Sequence, residues 1–137
     1  MTAHEPSIGL TYSLAEMDLD AVAQFILDAY WGRSLTRDQI HKSFRGSACV
    51  GLISAGQQIG FGRAISDGAT SAYLKDIIVF DAFQRRGFGR RLVQGLFDHP
   101  ELSGVPDWYL GTKDAHGFYK SLGFQMSPDG IYMYRRL

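Results

Sequence analysis

Apolar positions along this chain switch between two spacings, and the switches mark its elements. Ile8 to Tyr12 reads as a short first strand. Ser13 and Glu16, three apart, have the form of a capping box, and Met17, Ala21, Phe25, Ile26 and Ala29 then recur at helical spacing until Tyr30-Trp31-Gly32 ends the helix. A second box, Thr36 to Gln39, opens a shorter helix through Phe44. Two strands, 48–54 and 58–66, flank the turn Ala55-Gly56-Gln57 as a hairpin. Asp67 to Thr70 turns into a third strand, Tyr73 to Val79, which completes a meander. A helix pattern follows over 90–97, then a Pro-containing loop, His99 to Pro106, a strand over Trp108 to Thr112, and a helix stopped by Gly123. Pro128-Asp129-Gly130 predicts a last turn and Ile131 to Arg135 a last strand.

The order β, α, α, β, β, β, α, β, α, β, β predicts an α+β fold, helices on a mixed, mostly antiparallel sheet. The 137 residues suit one domain over 1–137 with a real core. Lys plus Arg balance Asp plus Glu at 14 each, so nothing electrostatic argues for nucleic acid as the main partner. Cys49, the one cysteine, lies in an apolar stretch and reads as a buried small hydrophobe. No signal pattern and no membrane-length apolar run is visible, and no metal-ligand cluster is singled out. The expectation is a cytoplasmic, soluble protein with no membrane partner.

The arginines cluster at 85, 86, 90 and 91, around Gln84-Arg85-Arg86-Gly87-Phe88-Gly89. This segment joins the strand ending at Val79 to an amphipathic helix. Glycines entering a helix bring backbone N–H groups to an anion, where the helix end adds positive charge. The arginines suit a polyphosphate. The Walker spacing is absent, and a G-x-G-x-x-G fingerprint starting at Gly87 fails at Leu92. The remaining pattern, Q-x-x-G-x-G, resembles the acyl-CoA loop of the GCN5-related N-acetyltransferase (GNAT) superfamily. A second segment, Ala115 to Phe124, looks like that family's A-x-x-[FL]-Y-x-x-x-G-F signature, matching at Ala115, Phe118, Tyr119, Gly123 and Phe124. The joint match spans about residues 73–126. Where many members carry Asn, this chain has Thr112, which puts one cofactor-side hydrogen bond in doubt.

The resemblance implies a GNAT-type sheet in which the strands ending at Val79 and Gly111 are parallel and splay apart to admit acetyl-CoA. Cofactor contacts then fall to the main chain of Ile77, Ile78 and Val79, to Gln84, Arg85, Arg86, Gly87, Phe88, Gly89 and Arg90, and to Thr112, Phe118 and Tyr119. Arg91 reads as a surface charge. The implied reaction moves an acetyl group from CoA to a primary amine. A backbone N–H near Val79 would polarise the thioester carbonyl. Tyr119 matches the family's proton donor to the leaving thiolate; its plainer role is packing on the cofactor. Asp76, three residues before Val79, is either the base for the amine, an ammonium-binding group, or a strand-end hydrogen-bonding group.

Acceptor recognition is expected from the link between the first two helices. Tyr30 and Trp31, beside Arg33, line an acceptor pocket or simply close the core. Asp67 is a weaker acceptor-site candidate, and His116 reads as a bystander. Length and neutral charge favour a small-molecule amine over a protein amine. Two further possibilities remain open: a non-catalytic acyl-CoA-binding sensor or regulatory module, and an acyltransferase for longer chains, since Phe80, Phe83 and Phe88 crowd the loop. Tyr132-Met133-Tyr134 offers apolar edge surface for a homodimer.

Overall fold

The computed structural model describes residues 7–32 and 34–137; Arg33 lies outside them. Five strands, β1 (Ile8–Thr11), β2 (Ala48–Ser54), β3 (Gln57–Ser66), β4 (Ser71–Val79) and β5 (Asp107–Tyr109), form one sheet in chain order. The first three pairings are antiparallel and β4 with β5 is parallel. Four helices flank the sheet: α1 (Leu19–Asp28), α2 (Arg37–Arg45), α3 (Phe88–Phe97) and α4 (His116–Ser121). The protein thus has a mostly antiparallel sheet between helices, as the element order predicts.

Strand β2 is buried on both faces, so its sequence is a continuous apolar run rather than an alternation. Ala48, Val50 and Leu52 face α3 with Ala64, Ala72, Leu74, Leu92, Val93 and Leu96. Cys49 faces the other way, with Phe61 and Ile78, against Val22, Ile26, Ile40 and Phe44 of α1 and α2. Burial of a ring such as Phe61, fully inaccessible here, contributes about 1.5–3 kcal/mol. The Cys49 thiol is pushed up to about 12 by burial, which leaves it a neutral packing group.

The second capping box forms in full. Thr36 Oγ1 accepts from Gln39 N–H, and Gln39 Oε1 accepts from Thr36 N–H. The first does not. Ser13 makes no side-chain cap and precedes only a short 3-10 turn; α1 begins at Leu19, capped by Asp18, which accepts from Ala21 N–H. Its buried face accordingly runs through Val22, Ala23 and Ile26, one position on from Ala21 and Phe25. The β2–β3 turn narrows to Ala55-Gly56, both at positive φ, the two-residue form whose twist suits a hairpin.

The final strand pair is the main departure, and residues 124–128, which should hold its first arm, form no strand. The turn at Asp129-Gly130 forms, with Gly130 at φ 77°, but residues 131–137 take no strand structure. Tyr132 meets Tyr109 ring to ring at 6.0 Å, while Met133 and Tyr134 stand exposed. A hairpin arm needs a sheet edge to pair with, and β5 offers only three residues. Among the described residues no helix is long and apolar enough to cross a membrane.

Candidate functional site

Two breaks in the sheet's regularity create the site. Strands β4 and β5 pair only over Ser71–Tyr73 with Asp107–Tyr109. Beyond Tyr73 they part, and Leu74 to Val79 have no β5 partner. Across the β3–β4 ladder, Phe61 pairs with Ile78 and Arg63 with Lys75, so Asp76 and Ile77 stand opposite the single residue Gly62. This is a β-bulge. Asp76 carries it at φ 52°, a left-handed conformation that aspartate tolerates better than most residues. Gly62 packs closely beneath the bulge: a Cβ there would lie 2.9 Å from Ile77 Cδ1, at the movable end of that side chain.

The bulge presents Asp76 to the α1 side of the sheet, where each oxygen of its carboxylate accepts one hydrogen bond. Oδ2 accepts from Arg63 Nε at 2.7 Å and Oδ1 accepts from Trp31 Nε1 at 2.9 Å. Arg63 also donates to Ser47 Oγ at 2.8 Å, and Ser47 in turn donates to the Ser43 carbonyl. The side chains of Arg63 and Asp76 are only 7% and 5% exposed. Trp31, by contrast, keeps 42% of its surface open, with its ring 6.5 Å from Phe25, itself 5.9 Å from Phe80. Tyr30 lies in the same 3-10 turn, its side chain outside the described structure. Arg63 and Ser47 were not singled out from the sequence. The available signal was an arginine inside an apolar strand, since a buried charge needs a counter-charge.

At the end of β4 the chain turns through the glycine loop. Gln84 Nε2 donates to the Val79 carbonyl at 3.0 Å and Asp81 Oδ1 at 3.3 Å, so this residue closes the loop on itself. Arg85 and Gly87 take positive φ, 67° and 79°, and Gly87 is the N-cap of α3. The first bond closing α3 runs from Arg91 N–H to Gly87 O, which leaves the N–H groups of Phe88, Gly89 and Arg90 without intrahelical acceptors. A Cβ built at Gly87 meets nothing within 4 Å; the cradle is open. These amides, with the exposed side chains of Arg85 and Arg86, form a donor set chemically suited to a pyrophosphate. Arg90 donates to Ser121 Oγ at 3.0 Å, and Arg91 reaches back to the Ile8 carbonyl.

Gly89 has a different task. A Cβ there would sit 3.2 Å from Phe118 Cζ, so the glycine lets α4 dock on the first turn of α3. Phe118 therefore packs against the loop's helix. Its neighbour Tyr119 lies ring to ring with Phe118 at 4.9 Å and Phe124 at 5.9 Å. Helix α4 ends in a Schellman motif: Phe124 N–H bonds Tyr119 O and Gly123 N–H bonds Lys120 O, with Gly123 at φ 96°. Burial pushes the Tyr119 phenol up to about 12, so it keeps its proton throughout the neutral range. Thr112 Oγ1 accepts from Ala115 N–H at 3.1 Å, a cap on the α4 entry that leaves its hydroxyl proton available.

A cavity of about 590 Å³ opens beside β5, lined by Tyr73, Tyr109, Thr112, Tyr119, Phe124 and Tyr132 among others. The glycine loop does not line it. The free amides of the loop, with Arg85 and Arg86, lie outside this cavity, and Tyr119 lines it. Asp67 lies at the far end of β4. Thr70 Oγ1 and the N–H groups of Thr70 and Ala69 donate to its carboxylate and hold it well below the usual range. It is consumed in shaping its own turn.

The sequence profile of the "Acetyltransferase (GNAT) domain" matches residues 40–126. A chloroplastic GCN5-related N-acetyltransferase of Arabidopsis thaliana is 34% identical over 74 residues, 53% of this chain and 38% of that protein. A chloroplastic serotonin N-acetyltransferase of rice is 37% identical over 79 residues, 57% of this chain and 40% of that one. The match thus spans about two fifths of the length of these plant relatives. Among solved structures, a GNAT-family protein from Xanthomonas campestris pv. campestris superposes with a TM-score of 0.87 at 29% identity, over 98% of this chain and 96% of that one. An aminoglycoside N-acetyltransferase in complex with CoA has a TM-score of 0.76 at 15% identity, over the whole of both chains, a likeness of fold.

Proposed function

We propose, from the premise that the chain belongs to the GNAT acetyltransferase family, that it is an acetyl-CoA-dependent N-acetyltransferase acting on a primary amine. The observation that carries this is the contact of Phe118 with Gly89. It ties the anion-binding turn of α3 to the helix bearing Tyr119, beside the gap where β4 leaves β5. The amides of Phe88, Gly89 and Arg90, with Arg85 and Arg86, would hold the pyrophosphate. The freed β4 edge over Ile77 to Val79 would pair with the amides of the pantetheine arm. The Val79 carbonyl already accepts from Gln84 Nε2 and would share that oxygen with the incoming amide.

Acetyl-CoA supplies the thioester carbon that the amine nitrogen attacks, forming C–N and breaking C–S. The amine sheds its proton to solvent. Tyr119 presents a neutral hydroxyl to the departing sulfur. With its phenol at about 12 against roughly 8.5 for an ordinary thiol, full transfer from Tyr119 is uphill. It acts by hydrogen bonding to the developing charge, and solvent completes the protonation. The acceptor is a small-molecule amine approaching from the Trp31 side, where an exposed indole face suits an apolar or aromatic body. The name of the rice relative agrees with such an acceptor.

Thiol release with acetyl-CoA across a panel of arylalkylamines, polyamines, aminoglycosides and a lysine peptide tests this. Amine-dependent release, strongly reduced in Tyr119→Phe, is the expected result. Binding of acetyl-CoA with no release for any amine would leave a non-catalytic acyl-CoA-binding module instead.

A further inference from the structure

We propose that Arg63 is a positioning residue for the acceptor side: through Asp76 it fixes the indole of Trp31, and Asp76 serves as the anchor in that chain rather than as the proton acceptor for the amine. The functional half of this assignment rests on the amine-acceptor site proposed above; the structural half does not.

Four segments distant in sequence converge on the β4 bulge. Ser47 precedes β2, Arg63 lies on β3, Asp76 on β4, and Trp31 in the turn after α1. The order of burial runs from inside to outside. Arg63 and Asp76 are buried, and the indole they reach is 42% exposed. Such a gradient fits a rigid support under a surface group. The bulge is what makes it possible. In regular pairing, Asp76 would alternate with its neighbours, and its carboxylate could not be set by the left-handed turn at φ 52°. With the bulge, each carboxylate oxygen receives one donor, at 2.7 and 2.9 Å. Arg63 has further donors, one of which Ser47 takes, so the guanidinium cannot swing away without losing two partners.

The chemistry of this arrangement separates it from a general base. A base needs a lone pair that the amine can reach, and the Asp76 side chain is only 5% exposed, with each oxygen turned to a donor of the protein. An anchor needs charge and geometry held constant through turnover, and a buried ion pair supplies both. Asparagine is the informative replacement. It tolerates the left-handed conformation, it retains an oxygen for the Trp31 indole, and it has no basicity. Lysine at 63 keeps the charge and loses the fork that binds carboxylate and Ser47 together.

The test uses the full chain, with the indole N–H resonances of its two tryptophans resolved by NMR and assigned with Trp31→Phe. Steady-state kinetics are measured for wild type, Arg63→Lys and Asp76→Asn. In Arg63→Lys the Trp31 indole resonance is expected to shift or broaden while that of Trp108 stays put. The acceptor KM should rise by about tenfold, the equivalent of one lost hydrogen bond, with kcat falling much less. The acetyl-CoA Kd should stay within about twofold, because that site lies apart. Asp76→Asn breaks the same pair and should raise the acceptor KM as Arg63→Lys does, with an unchanged acid limb in its pH profile. A fall in kcat of about 10²-fold or more in Asp76→Asn at saturating acceptor, with that acid limb removed, would make Asp76 the base and overturn the proposal. An unmoved Trp31 resonance in Arg63→Lys would overturn it equally. Should the wild-type chain bind no acetyl-CoA, the proposed function falls, while the resonance still decides whether Arg63 holds Trp31.

Discussion

The proposed cofactor side and the proposed acceptor side of this molecule are built by opposite means. The anion-binding turn is local: six consecutive residues, Gln84 to Gly89, close on themselves through Gln84 and expose backbone amides. Its charged groups are solvated, and its left-handed conformations belong to Arg85 at φ 67° and Gly87 at φ 79°. The proposed acceptor side draws on residues 31, 47, 63 and 76, buries the side chains of its ion pair, and displays an indole. A local, amide-based site binds what is common to all its ligands, and its loss should weaken binding without unfolding the chain. A dispersed, buried site couples recognition to the core, so damage there should cost stability as well.

That contrast can be broken by mutation, and the largest effect belongs to the proposed hydrogen-bond donor to the leaving thiolate. Tyr119→Phe should lower kcat by about 10²–10³-fold, as loss of a donor to developing charge does, with calorimetry showing acetyl-CoA bound as before. Arg63→Met leaves the Asp76 carboxylate buried without its cation and should destabilise the fold by about 3–5 kcal/mol, read from urea unfolding. The Arg63→Met/Asp76→Leu double variant should recover much of that loss. At Gly89, alanine forces Phe118 back from a 3.2 Å contact and should cost about 1–3 kcal/mol, with weaker CoA binding because α4 shifts on α3. Gly87→Ala meets open space and has only the left-handed backbone against it, about 1–2 kcal/mol. A loss at 87 as large as at 89 would show that steric packing is not the distinction between them.

The smallest effects are in pH. Burial lowers the His99 pKa, and its Nδ1 accepts from Glu101 N–H. The fold therefore favours the neutral ring. Its contribution to stability is present above the ordinary histidine value near 6.5 and is lost as pH falls below it toward the lower folded value. Urea midpoints between pH 7 and 5 should decline by more in the wild type than in His99→Gln. Tyr119 has the opposite sign. Raised to about 12, it favours the fold below pH 10, a gain lost as pH climbs through 12. The alkaline limb of the rate profile near neutrality should accordingly be the same with and without its hydroxyl.

What the sequence disclosed follows the same division. The glycine loop, the α4 signature and the Gly123 stop were legible because each is a local pattern with a local cause. So was the second capping box, whose Thr36 and Gln39 satisfy each other. The first box misled because Ser13 has the right spacing while Asp18, five residues on, has the right backbone position. Arg63 was hidden because its partner is thirteen residues away across a bulge, and no spacing rule announces a register shift. The last strand was predicted from residue type at Tyr132 to Tyr134. Strand formation also requires a partner, and β5 is too short to provide one.

The most direct test of the central claim is calorimetric titration of the chain with acetyl-CoA and CoA, beside ATP and NAD. Saturable binding of the two CoA compounds, weakened in Gly87→Ala and in Arg85→Ala/Arg86→Ala, is the predicted result. Failure of either CoA compound to bind, or binding of ATP and NAD as tightly, would contradict it and reduce the glycine turn to a way of starting a helix.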